Sequence, residues 1–154
     1  MTRLLSLGAL LALSLGAAQT ATPPVPEDVR GTLFAPRTAE GPLRVSLTLR
    51  SSLASPVELD AGRDSRQNCV FGPLVRVLRV GTREVVSPAP GSEPRLCAQD
   101  LRIWRLAAGG GVTLTRNLDL PPGEYMVEGW FAGRLGGKRV RVPAQPVRVT
   151  VRGE

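Results

Sequence analysis

Histidine is absent from all 154 residues, lysine occurs once, and the chain holds only two cysteines, three phenylalanines, two tryptophans and one tyrosine. Each scarcity removes a class of function. Without histidine, neither a Ser-His-Asp nor a Cys-His nucleophilic arrangement can be assembled. Two thiols with no imidazole leave a zinc site incomplete, so no metal and no other cofactor is expected. The 13 carboxylates could supply an acid and a base for glycoside hydrolysis, yet they fall mostly in turns or at solvent-facing strand positions. No enzyme is expected. So few aromatics leave little to stack on bases, and nucleic acid is not an expected partner.

Long apolar runs are also missing, save one at the start. Leu4 to Leu15 follows the single charge of Arg3 and precedes the small residues of "GAAQTA". That run is too short for a bilayer span, which takes about 20 apolar residues, and has the layout of a secretory signal peptide. Cleavage is expected after Ala18, because Gly16 and Ala18 occupy the two positions the peptidase reads, which makes 1–18 the signal peptide. No cysteine follows for a lipid anchor, so the expectation is a secreted or periplasmic protein with no stable membrane span. Residues 19–29, rich in proline and without periodicity, read as an extended leader, and 30–154 as one domain. Loss of Arg3 and no acid lowers the net charge from +7 to +6. In an exporting compartment Cys69 and Cys97 read as a disulfide. Closing that loop would restrict the unfolded chain by about 3–4 kcal/mol in the entropy model.

What the chain has in quantity is alternation. In "LRVSLTLR", Leu43, Val45, Leu47 and Leu49 alternate with Arg44, Ser46, Thr48 and Arg50, the pattern of a strand with one buried and one wet face. Further strands are read at 56–60, 74–80, 83–86, 101–106 and 112–120, then in "EYMVEGWF", "KRVRV" and "PVRVTVR". In 112–120 Arg116 interrupts the apolar face formed by Val112, Leu114, Leu118 and Leu120. No window of eleven residues beyond the leader carries a helical apolar stripe free of glycine and proline. Seven to nine short strands with turns between them make an all-β fold, an antiparallel sandwich or barrel.

"LDLPPGEYMVEG" narrows the class. Leu118 and Leu120 end one strand, Pro121, Pro122 and Gly123 turn the chain, and Tyr125 opens the next. In immunoglobulin-like sandwiches a tyrosine so placed hydrogen-bonds the backbone a few residues upstream and locks the crossing between sheets. The layout "LRVSLTLRSSLASPVEL", "VRVLRVGTREVV" and "LAAGGGVTLTRNLDLPPGEYMVEG" resembles the BsuPI-type proteinase-inhibitor domain, a small immunoglobulin-like β-sandwich, over roughly residues 43 to 151. The resemblance implies a non-catalytic protein-binding module, with proteinase inhibition one activity open to it. That family is intracellular, whereas this chain carries an export signal. The stretch "GRDSRQNCVFGP" and the loop closed by Cys97 are elaborations on the family layout. The matching positions are structural, so no inhibitory residue carries over.

Two sets of residues are candidates for contact. In "GKRVRVPAQPVRVTVR", Arg139, Arg141, Arg148 and Arg152 alternate with valines. If "PAQP" turns the chain back, they share one face of a hairpin that would suit an anionic envelope polysaccharide or lipid; the plainer reading is a solvated sheet face. Trp130 falls opposite Tyr125, Val127 and Phe131, outside the main core, and either anchors a protein partner or covers arginine stems. Trp104, between Ile103 and Arg105, has no orientation legible from its neighbours. Asp60, Asp64 and Asn68 invite calcium, but they lack the alternate spacing and closing glutamate of a tight loop, and Arg63 and Arg66 would repel the ion.

Overall fold

Leu43, Val45, Leu47 and Leu49 are each 0 % exposed, while Arg44 and Arg50 face solvent. Such alternation runs through the computed structural model, which describes residues 22–153. The expected signal peptide and the first leader residues lie outside the described residues. The strands are β1 (Val29–Phe34), β2 (Thr38–Glu40), β3 (Leu43–Ser51), β4 (Val57–Gly62), β5 (Leu74–Arg79), β6 (Val85–Ser87), β7 (Leu101–Leu106), β8 (Gly111–Leu118), β9 (Gly123–Leu135), β10 (Lys138–Pro143) and β11 (Val147–Arg152). Nine of the eleven have six residues or more.

They form two sheets. One is β1–β3–β8, antiparallel throughout. The other is built on β9, which has β11 and β10 along one edge and β5 and β4 along the other. Outside these lie β2 on β11, β6 on β5 and β7 on β4. The pairing departs from the antiparallel expectation at one place: β2 runs parallel to β11. After β1 the chain crosses to the other sheet through Ala35–Arg37 and so meets the last strand running alongside it. Between the sheets, Leu33, Leu47 and Leu49 from one side meet Val77, Val127, Phe131 and Val149 from the other. Each such side chain taken out of water contributes about 1.5–3 kcal/mol. Among the described residues no helix is long and apolar enough to cross a membrane.

"PAQP" does not turn the chain back, contrary to the hairpin expectation. The pairs Val142–Phe131 and Val147–Val127 leave 143–146 on the edge facing 128–130 on β9. One extra residue makes a bulge, which is absorbed because β2 pairs only with 150–152 and no strand must keep register beyond 143–146. The amide of Ala144 still donates to Gly129 O at 3.0 Å. Thus β10 and β11 are consecutive segments of one edge, and the β-hairpin is β9–β10. Arg141 N–H donates to Pro24 O at 3.0 Å, which lays leader residues on the open edge of β10, and Val29 at the start of β1 is already buried.

The turn between β8 and β9 has the geometry of a tyrosine corner. Tyr125 is fully buried, and its Oη donates to the carbonyl of Pro121 at 2.6 Å. Pro122 and Gly123 complete the bend. A Cβ on Gly123 would stand 3.1 Å from that hydroxyl, so the close approach itself calls for glycine. The guanidinium of Arg79 lies 5.4 Å from the Tyr125 ring centre. Tyr125→Phe strands the Pro121 carbonyl and removes the bond, and is expected to cost about 1–2 kcal/mol in urea unfolding. Unchanged stability would show that the hydroxyl does not hold the corner.

Candidate functional site

The chain between β4 and β5 leaves the strand because Asp64, Ser65 and Asn68 favour turns and caps. Asp64 caps a single 3₁₀ turn at Ser65–Gln67, its carboxylate accepting from Arg66 N–H at 2.9 Å. That is its use in place of the calcium reading, and Asp60 lies within β4 opposite Ile103. The turn ends at Asn68 and Cys69, both with φ of 58°, which aims Cys69 outward. Its sulfur joins Cys97, 28 residues on, with 5.5 Å between the Cα atoms.

Beneath the turn sits a polar plug. Gln67 is 5 % exposed, and its Oε1 accepts from the amide of Val75 at 2.9 Å and from Nη1 of Arg116. Arg116 is the residue that interrupts the apolar face of β8. It faces the interior and is half-buried. Desolvation lowers its pKa from the ordinary arginine value, partly offset by the nearby carboxylate of Asp64, and it keeps its charge. The structure thus accounts for the misfit in the alternation: Arg116 spans from one sheet to the turn under which the other sheet starts β5.

Arg63 ties the outside of the same loop. Its Nε and Nη2 donate to the two carboxylate oxygens of Asp100 at 2.6 and 3.0 Å, and Nη1 donates to Cys69 O at 3.1 Å. Its guanidinium stacks 4.3 Å from the centre of the Phe71 ring. The hydrogen bond from Arg63 holds the Asp100 carboxyl below its ordinary value. A depressed acid favours the folded state above its ordinary pKa and loses that effect as pH falls through the lowered one, so the tie is complete at neutral pH. A cleft of about 550 Å³ opens beside it, where the edge strands β7 and β8 splay apart, lined by Arg63, Phe71, Arg102, Trp104, Thr113 and Thr115. Trp104 turns inward, its ring edge-on to Phe131 at 6.0 Å, with Arg102 5.7 Å from its centre.

From Ser92 to Asp100 the chain lies in no strand, and every residue but Cys97 is exposed. It is nevertheless held at three points: Arg95 N–H donates to Ser65 O at 2.8 Å, Cys97 is bridged, and Asp100 is clasped by Arg63. Leu96, at its middle, is fully exposed, and Leu101 and Ile103 on the outer side of β7 are 58 % and 60 % exposed.

The four arginines read from the sequence do share the outer face of the β9 sheet, strung along one edge. Arg148 Nη2 donates to Glu124 at 2.6 Å, Arg152 stands level with Glu40, and Arg139 stands across from Arg134. Arg141 stacks on Trp130, 4.6 Å from its ring centre, so the tryptophan covers an arginine stem while only half-buried. Leu74 and Pro143 flank it in the neighbouring strands. The disulfide loop and this face are on different parts of the molecule. Sequence reasoning found the cysteines, saw Arg63 only as a charge that would repel a cation, and gave no role to Leu96 or Asp100. The available signal was an isolated leucine beside a cysteine in a polar, proline-rich segment without alternation.

No family model and no curated protein matches the chain. Among solved structures, a Northeast Structural Genomics Consortium target, SoR45, is similar at 8 % identity over 81 % of this chain and 88 % of that one, with a TM-score of 0.51. A Bordetella pertussis protein assigned as ApaA is similar at 13 % identity over 84 % and 98 % of the two chains, with a TM-score of 0.47. The first likeness concerns the fold alone.

Gln67→Ala leaves the Val75 amide and the Arg116 guanidinium without their acceptor, and is expected to cost about 2–3 kcal/mol in denaturant unfolding. Removing both partners, Gln67→Leu with Arg116→Leu, should cost less than the two single losses combined. Strictly additive losses in that double-mutant cycle would show that the two residues do not act as one plug.

Proposed function

We propose that the chain is an exported, non-catalytic immunoglobulin-like module of the BsuPI type that works by holding a protein partner, with an endopeptidase as the partner class. The observation that carries this reading is the segment from Ser92 to Asp100, exposed and outside any strand yet tied at Arg95, Cys97 and Asp100. A segment already held in one shape loses little conformational freedom on binding. Its unpaired backbone groups suit pairing with a partner's extended strand. The strand layout that resembles the BsuPI type supports the family, and the signal-peptide pattern together with the disulfide supports a secreted or periplasmic location. The alternative, docking on anionic polysaccharide or lipid, draws less support. Of its four arginines, Arg148 is engaged by Glu124 and Arg141 is stacked on Trp130.

The intact protein is expected to form a stoichiometric complex with an endopeptidase such as subtilisin or chymotrypsin. That complex should persist in size-exclusion chromatography from about 0.05 to 0.3 M salt, a range over which surface charge attraction is strongly screened. Reduction of the disulfide should weaken it. Retention on anionic vesicles or polysaccharide that vanishes over the same range, and with Arg139→Glu and Arg148→Glu, would favour the alternative instead.

A further inference from the structure

We infer that Leu96 is the anchor of the complex: a large aliphatic side chain presented by the disulfide loop to the apolar specificity pocket of an extracellular endopeptidase. This rests on the inhibitor reading above and adds the side chain and the kind of pocket. Leu96 has a relative exposure of 105 %, so no described residue covers it. Its two neighbours are both fixed, Arg95 through the amide bonded to Ser65 O at 2.8 Å and Cys97 through the bridge. The carbonyl oxygen of Leu96 itself lies 3.8 Å from Cys69 Sγ, against the disulfide. Pro94, two residues earlier, fixes its own φ and stiffens the approach. The backbone is therefore held on both sides of the segment's one large apolar side chain.

An interface anchor works when a central apolar group enters a pocket and a surrounding rim keeps water out. Leu101 lines the same shallow hollow as Leu96, about 390 Å³, and Ile103 continues its side of β7. These two supply an apolar rim next to the anchor. Endopeptidase clefts read the side chains of a bound segment in separate pockets, and a leucine presented on a held backbone fits an apolar pocket rather than one built for a cation.

The experiment measures inhibition of subtilisin, chymotrypsin, elastase and trypsin by the full chain and by Leu96→Asp and Leu96→Arg. Because the side chain is fully exposed, both variants should keep the wild-type unfolding midpoint, which is recorded alongside. The expected result is inhibition of at least one of the three enzymes with apolar pockets. Leu96→Asp should weaken it about 100-fold or more, and Leu96→Arg should shift inhibition toward trypsin. Inhibition by the wild type that neither variant changes by more than about threefold overturns the role of Leu96 and leaves the inhibitor reading standing. Inhibition of none of the four overturns both. A concentration-dependent dimer that Leu96→Asp abolishes assigns the leucine to self-association and overturns the inference as well.

Discussion

Backbone hydrogen bonds run along both edges of β9, to β11 and β10 on one side and to β5 and β4 on the other. The thirteen residues of this strand therefore set the register of the larger sheet, and any slip by one residue would turn Tyr125, Val127 and Phe131 out of the core together. The bond from Tyr125 to Pro121 stands at the entrance of that strand. It fixes where β9 begins relative to β8, which belongs to the other sheet, and so couples the two registers at one point. Glycines at the inward positions between the larger side chains make the crossing tight: a Cβ on Gly129 would fall 2.5 Å from Cδ1 of Leu33 in β1.

The long strands were legible because their alternation is driven by burial of one face. β3, β5, β7, β10 and β11 fall within two residues of where the period of two places them. β1 was not, since Gly31 stands where its inward row needs an apolar residue, and β2 is too short to show a period. The corner was legible for a different reason, a local one: proline, glycine and tyrosine in fixed order describe a bend whatever surrounds it. "PAQP" misled because proline clusters mark turns and edge bulges alike, and only the partner strand decides between them. At the candidate site, the cysteines could be paired on sight, but Arg63 and Asp100 are 37 residues apart and nothing local links them.

Arg116 shows how a breach of pattern can carry information. An arginine on the inward row of β8 would be costly if it had to lie among leucines, and the chain supplies Gln67, from the turn before β5, to receive it. The same oxygen accepts the Val75 amide at the head of β5. The loop carrying Cys69 is thus founded on both sheets, and the exposed segment bridged to it inherits that rigidity without a core of its own.

The parallel contact of β2 with β11 joins Thr38–Glu40 to Thr150–Arg152, nearly the full length of the described chain apart. Contacts so distant in sequence form late, after the loops between them have closed. Neither face of the β9 sheet is finished until the last strand arrives, so a chain threaded through a narrow channel from its amino end would have no complete sandwich to fold into while the remainder was still crossing. On the exported reading proposed above, such delay would keep the polypeptide fit for passage, with folding and thiol oxidation completed on the far side.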